Sequence, residues 1–257
     1  MAIVTADHIT KIYDGKVAHS AINQLSFEVE QGEFLAIMGP SGSGKTTLLN
    51  LLSTIDQPTS GSLTINDQNP QTLSAKQAAI FRREQLGFVF QDFNLLPALT
   101  VEENMVLPLT LANQPVEEMK ERVDRLIQDL HLEQVRNHFP HELSGGQAQR
   151  TAIGRALIHQ PQIVLADEPT GNLDSKASKD VLELLTKINR ERMTTIVMVT
   201  HDPIAASYCD RVLFIKDGEY FNEIYKEDLR QTFFQRILNL LSLLGGNVND
   251  LSTVRLS

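Results

Sequence analysis

"GPSGSGKT", residues 39–46, sets glycines, a lysine and a hydroxyl residue at the spacing G-x-x-x-x-G-K-[ST]. Glycines let consecutive backbone N–H groups wrap phosphate oxygens, and a helix starting at such a loop adds the positive end of its dipole. On this reading Gly39, Pro40, Ser41, Gly42, Ser43, Gly44, Lys45, Thr46 and Thr47 form a cradle for a nucleotide such as ATP. Lys45 reaches the outer phosphates and Thr46 can ligate Mg²⁺. A phosphate loop alone does not separate hydrolysis from transfer to a second substrate.

"IVLADEP", residues 163–169, bears on that choice. An apolar strand ending in Asp167 and Glu168 places one carboxylate near a metal ion and leaves the next free to polarise a water for in-line attack on a γ-phosphate. The bland alternative is an acidic strand-to-loop junction. A second glycine-rich stretch, "HELSGGQAQR" at 141–150, looks like another phosphate-binding turn about a hundred residues after the first. Ser144, Gly145, Gly146 and Gln147 precede a helical pattern whose N-terminal end would attract an anion.

These residues need strands and helices to hold them. "LSFEVEQGEFLAIMGP" alternates apolar and polar residues and then becomes a solid apolar run that stops at Gly39, as in a surface strand followed by a buried one. "TTLLNLLSTI" has leucines at helical spacing, and "PTSG" with "SLTIND" reads as a turn and a strand. From about Asn94 to Pro161 the pattern is mostly helical, "PVEEMKERVDRLIQDLHL" carrying an apolar face and a charged one. "QIVLADEP" and "TTIVMVTHD" are short runs typical of strands buried on both faces, "RVLFIKDGEY" continues the core, and "SKASKDVLELLTKINRERM" between the first two is an amphipathic helix. The fold class expected is α/β, with residues 1–230 as one nucleotide-binding unit, a helical insertion at about 94–161, and a C-terminal amphipathic extension at 231–257.

The chain has 257 residues, 42% hydrophobic and 21% charged, with a formal net charge of -9. That charge gives no general attraction to nucleic acid or to an anionic lipid surface, and no basic tract compensates. Cys209, the single cysteine, excludes an intramolecular disulfide and reads as a small buried hydrophobe. The start "MAIVTADHIT" lacks the features of a secretory signal, and no stretch approaches the roughly 20 apolar residues of a bilayer span. The expectation is a cytoplasmic protein that reaches a membrane only through a partner.

"LSGGQ", after the phosphate loop and about two dozen residues before Asp167, resembles the signature sequence of ATP-binding cassette (ABC) ATPases, and the resemblance covers roughly residues 3–225. Other landmarks of that family occur in order. Tyr13 in "KIYDGK" matches its adenine-stacking aromatic, Gln91 in "FVFQDFNLLPALTVEEN" its glutamine loop, Asp174 in "GNLD" its dimer-contact loop and His201 in "MVTHD" its switch histidine. Each has an ordinary structural alternative, but seven landmarks in sequence are not a coincidence. One departure is Ala148, where many relatives carry a polar or basic residue.

The resemblance implies a P-loop core with an antiparallel β subdomain and an inserted helical subdomain. It implies that two such domains associate head to tail, each ATP lying between the phosphate loop of one and the signature of the other. It makes Glu168 the general base, and has His201 contact the γ-phosphate, Gln91 sense Mg²⁺ and the attacking water, and Asp167 hold the metal through water. The metal set is then Thr46, Gln91 and Asp167, and the catalytic set Glu168, His201, Lys45 and Gln91.

Relatives also serve in DNA repair, chromosome organisation and translation, but one cassette with no coiled-coil insertion, zinc-type cysteine set or basic tract favours a transporter, at the cytoplasmic face of the membrane. In the family the segment after the glutamine receives a permease's coupling helix; Phe93, Leu95, Leu96 and Leu99 are candidates to line that groove, with core packing an equal contender. "LSTIDQPTSG", "ADEPTGNLD" and "VTHDPIAASYCDRV" resemble the branch of lipoprotein-release and macrolide-export ATPases. The tail "RQTFFQRILNLLSLLGG" resembles bacitracin-type, peptide-antibiotic resistance ATPases, implying a multi-span permease and signalling to a sensor kinase. Phe233, Phe234, Ile237, Leu238, Leu241 and Leu244 form one helical stripe, to pack on the chain's own cassette, on a dimer mate or on the permease.

Overall fold

The structure, a computed structural model, describes residues 1–14, 18–227 and 229–245. Its centre is a six-stranded sheet. Five strands run parallel: β3 (Phe34–Met38), β5 (Leu86–Val89), β6 (Ile163–Asp167), β7 (Thr195–Val199) and β8 (Arg211–Lys216). The last, β9 (Glu219–Tyr225), returns antiparallel, giving the spatial order β5-β6-β7-β3-β8-β9. The return is a two-residue turn in which Asp217 and Gly218 both have positive φ, 52° and 80°, as the Asp-Gly hairpin turn requires.

A smaller antiparallel sheet, β2-β1-β4, is made by β1 (Ala2–Tyr13), β2 (His19–Glu30) and β4 (Ser60–Ile65). It covers one face of the large sheet together with α1 (Lys45–Leu52). The other face carries α3 (Val101–Leu111), α4 (Val116–Asp129), α5 (Gly145–Leu157) and α6 (Ser175–Arg192). The pleat of β3 explains this two-sided burial: Phe34, Ala36 and Met38 join the apolar cluster under the helices, and Leu35 and Ile37 join the cluster under α1 and the small sheet. A strand buried on both faces has no polar position to spare, hence the solid apolar run before Gly39.

Helix α2 (Ala75–Gln85) leads into β5 and lay outside the periodic signals read above. Within the stretch expected to be mostly helical, residues 94–100 are not helix. Helix begins at Val101 behind a capping box in which Thr100 Oγ1 accepts from Glu103 N and Glu103 Oε2 accepts from Thr100 N.

At the C-terminal end, α7 (Pro203–Ala206) follows β7, and α8 (Arg230–Leu243) follows β9. Phe233, Ile237 and Leu244 are buried in the chain's own helical-side cluster and Leu241 packs against it, so the predicted stripe docks largely on its own cassette. Phe234 and Leu238 are only half-buried. Residues 246–257 of the expected extension lie outside the described residues.

Candidate active site

In-register parallel strands end together, so residues just past their carboxyl ends share one edge. Pairing of Ile37 with Val199, Asp167 with Val199 and Val89 with Ala166 sets Gly39, Glu168, Thr200, His201 and Gln91 along that edge. Residues far apart in sequence thereby meet.

The phosphate loop occupies the turn between β3 and α1. At Gly39 a Cβ would fall 2.2 Å from the Ile215 carbonyl oxygen, and at Gly44, φ 96°, 2.3 Å from that of Ala21. Neither position admits a side chain. Lys45 Nζ donates back to the Gly39 and Pro40 carbonyl oxygens at 2.8 and 2.9 Å. Burial pushes the Lys45 pKa down, opposed by the negative charges of Glu168 and Asp167. Ser43 is 1% exposed and its Oγ has no hydrogen-bond partner among the described residues, an orphaned donor that a phosphate oxygen would satisfy. Thr46 and Thr47 lie in the first turn of α1, Thr46 exposed, and Ser41 and Gly42 are exposed at the loop's tip.

Asp167, half-buried at the end of β6, has its pKa raised by burial first and by repulsion from Glu168 second, with Lys45 opposing. Glu168 departs from the expectation of a free carboxylate. Its Oε2 accepts from Thr200 Oγ1 at 3.0 Å, and its Oε1 from the backbone N of His201 at 3.0 Å and pairs with His201 Nδ1 at 2.7 Å. The reason is strand register: β7 delivers Thr200 and His201 beside it. The hydrogen bond with Glu168 raises the His201 pKa, partly against burial. Glu168 itself sits at φ 44°, a strained backbone for a non-glycine residue, of order 1–3 kcal/mol.

Gln91 is tied to the loop after Glu168: its Nε2 donates to Asn172 Oδ1 at 3.2 Å, and Asn172 Nδ2 donates to Gln91 O and to Asp92 Oδ1. Asp174 caps α6, accepting from Lys176 N and Ala177 N at 2.9 Å. Tyr13 stands half-exposed at the end of β1, its hydroxyl donating to Asp56 at 2.9 Å with Lys11 over its ring.

The second glycine-rich motif heads α5. Ser144 is its cap, Oγ accepting from Gln147 N at 3.3 Å while Gln147 Oε1 accepts from Ser144 N at 2.9 Å. Gly145 and Gly146 form the first turn, packed near Leu173 and Ala177. Among the described residues no hydrogen bond joins residues 144–147 to residues 39–47. Ala148 is buried, which explains an apolar residue there.

Sequence reasoning passed over three residues that organise this site. Thr200 is fully buried and donates to Glu168, and its place between an apolar run and His201 was the available signal. Asn172, inside "GNLD", locks the glutamine loop. Gln149, fully buried in α5, donates through Nε2 to Pro169 O at 2.6 Å and to Phe90 O at 3.4 Å, linking the second motif's helix to both strand ends.

A groove of about 470 Å³ runs between the large sheet's β5 end and α3, lined by Ile55, Phe88, Phe90, Leu107, Pro108 and Leu111. Phe93, Leu95, Leu96 and Leu99 do not line it. The chain turns at Phe93 and Asn94, both at positive φ, and Asn104 then holds the following loop through Leu96 and Leu99 backbone groups. Arg82, Arg83, Arg155 and His159 border the groove and, among the described residues, no carboxylate does. Among the described residues no helix is long and apolar enough to cross a membrane, and no cluster of three or more His, Cys, Asp or Glu is placed to hold a metal ion.

The family model described as "ABC transporter" matches residues 22–171. The chain is 59% identical over 249 residues to the ABC transporter ATP-binding protein YxdL of Bacillus subtilis, covering 97% of each. It is 47% identical over 252 residues to the bacitracin export ATP-binding protein BceA of Halalkalibacterium halodurans, covering 97% of this chain and 100% of that one. The lipoprotein-releasing system ATP-binding protein LolD of Legionella pneumophila is 43% identical over 220 residues, which take up 85% of this chain but 97% of LolD. A solved dimer of the ATP-binding cassette MJ0796, in a post-hydrolysis state with ADP and Pi, superposes with TM-score 0.80 at 41% identity over 88% of this chain and 100% of that one.

Proposed function

Because this chain belongs to the family of ABC transporter ATP-binding subunits and is an ATPase of that family, we propose that it works as a homodimer on a membrane permease that confers resistance to bacitracin-like peptides. The observation that carries the ATPase chemistry is the shared strand edge: a phosphate cradle with an orphaned donor, and Asp167, Glu168 and His201 beside it.

In this reading ATP is the substrate. Lys45 leaves the loop carbonyls for the outer phosphates, Tyr13 stacks on adenine, and residues 39–47 surround the phosphates. A lone carboxylate and a hydroxyl are a donor set that fits Mg²⁺, which takes most of its ligands from phosphates and water; Thr46, Gln91 and Asp167 would hold it, and it would neutralise developing phosphate charge. Glu168 accepts the proton of a water whose oxygen attacks the γ-phosphorus, while the bond to the bridging oxygen breaks and its electrons leave with ADP. His201 contacts the γ-phosphate, so it exchanges Glu168 for that anion on closure. The separation of residues 144–147 from the chain's own phosphate loop supports a second copy as the source of the signature contacts: Ser144, Gly145, Gly146 and Gln147 meet the γ-phosphate of the partner's ATP.

The apolar groove between β5 and α3 supports a permease segment as a further partner, an apolar helix with acidic ends suiting its cationic border. We place the chain accordingly at the cytoplasmic face of the membrane, with a sensor kinase reached through the permease. No nucleic-acid partner is invoked.

Length supports the peptide-resistance branch. The cassette through β9 ends at Tyr225 and α8 follows it. BceA matches nearly the whole chain, extension length included, whereas LolD is used up by 85% of it. The test is to delete this gene with and without its permease partner and measure growth inhibition by bacitracin-like peptides. Increased sensitivity is expected; unchanged sensitivity with altered lipoprotein sorting or macrolide tolerance would favour the lipoprotein-release or macrolide-export alternative.

A further inference from the structure

The segment following His201 cannot hold its own position. Helix α7 is four residues long, and a single turn has no stability without tertiary support. On its inner side Asp202 caps it, Oδ1 accepting from Ile204 N at 2.8 Å, while Asp202 N donates to Thr200 Oγ1. On its outer side lies α8. Phe233 and Ile237 are fully buried in one apolar cluster with Ala205, Ala206, Tyr208 and Cys209, and the Arg230 guanidinium lies over the Tyr208 ring at 4.3 Å. Arg230, Gln231 and Phe234 also wall a cleft of about 660 Å³ that Glu168 and His201 line from the other side.

We propose that α8 is a positioning element for hydrolysis, Phe233 and Arg230 holding α7 so that the His201–Asp202 segment is presented to Glu168. The Thr200 hydroxyl then receives Asp202 N while it donates to Glu168, so a shift of α7 is felt at both catalytic groups through one atom. The C-terminal extension thereby becomes a handle on turnover: whatever moves α8 changes the geometry of the switch residue without touching the nucleotide cradle. The inference rests on the assignment of Glu168 and His201 given above.

The test compares Phe233→Ala, Phe233→Leu and Arg230→Ala with His201→Ala in the full-length chain. A misplacement of about 1 Å at a catalytic group costs up to ~10²-fold, so Phe233→Ala should lower kcat by about ten- to a hundredfold. KM for ATP and nucleotide binding per folded chain should stay within about twofold of wild type, because residues 39–47 are not moved. Phe233→Leu should restore most of kcat. Arg230→Ala should lower kcat about two- to fivefold, the value of one partly exposed cation–π contact. A fall in kcat that only tracks loss of ATP-binding-competent protein would make α8 a structural prop and overturn the proposal. So would normal kcat in folded Phe233→Ala and Arg230→Ala alongside loss in His201→Ala. Full turnover in His201→Ala would remove the site assignment and this inference together.

Discussion

Replacing Ser144 with Ala separates two uses of one hydroxyl. Within the chain Ser144 Oγ accepts from Gln147 N, which occupies a lone pair and leaves the O–H proton free to donate. Losing the cap costs about 1 kcal/mol. A domain of this size has a stability of roughly 5–15 kcal/mol, so the unfolded fraction stays below about one per cent and cannot account for any large change in activity. Donation to a γ-phosphate held by a second copy is a charge-assisted hydrogen bond worth ~1.5–3 kcal/mol, or about 10- to 150-fold in turnover. Ser144→Asp restores an equally good cap but offers no donor, so it should recover stability but not turnover. Denaturant unfolding, steady-state ATPase activity and nucleotide binding at monomer concentrations distinguish the two uses. Loss of ATP binding by the isolated monomer, or turnover unchanged in Ser144→Ala, would refute the division between a cradle in one chain and a signature in the other.

Glu168→Gln removes the base while keeping a neutral acceptor, and hydrolysis should fall by about 10²–10⁴-fold while ATP-dependent dimerisation, followed by gel filtration, persists; near-normal turnover would remove Glu168 from that role. Arg211, with only 8% of its side chain exposed, pairs with Glu33 at 2.6 Å and Glu223 at 2.8 Å and stitches β8 and β9 to the start of β3. Arg211→Ala should therefore destabilise the fold by about 3–5 kcal/mol in denaturant titration, because it strands two carboxylates. Leu111 lies at the rim of the β5–α3 groove and is 61% exposed. Leu111→Glu should leave the basal ATPase of the isolated subunit unchanged and abolish its co-purification with the permease; undiminished co-purification would move the docking surface elsewhere.

Legibility in the sequence tracked how local each signal is. The phosphate loop, β3 and α1 announce themselves because a cradle for anions needs glycine at fixed spacing and a buried strand needs an unbroken apolar run. Helix α6 was legible from its amphipathic period and β8 from its apolar run; the return to β9 was passed over, although Asp217 and Gly218 in "KDGE" supply the two positive-φ residues of its turn. Helix α2 and the non-helical stretch before Val101 were not. Ser74 and Gln77 form a capping box that marks the start of α2, but the helix buries only Phe81, so its apolar period is faint. The groove between β5 and α3 was not read from the sequence for a related reason: its floor, Phe88 and Phe90, belongs to β5 and its exit and its wall to α3, a pairing that depends on tertiary packing and not on neighbours in the chain.

The engagement of Glu168 was illegible for a different reason, and it changes how the site must work. Neither "ADEP" nor "VTHD" carries any sign of the other; only the β6–β7 register brings Glu168 within 2.7 Å of His201. A carboxylate that accepts from a hydroxyl, a backbone amide and an imidazole has those lone pairs occupied, so it is a poor acceptor for a water proton until a donor leaves. Of the three, Thr200 is buried and the His201 amide is fixed by the chain, whereas the His201 side chain is 73% exposed. The imidazole is the one donor able to leave without breaking the fold, and a γ-phosphate is the anion that competes for it. On the proposed assignment of Glu168 as base and His201 as γ-phosphate contact, release of the carboxylate is tied to arrival of the substrate's terminal phosphate, and without that phosphate Glu168 stays engaged by His201.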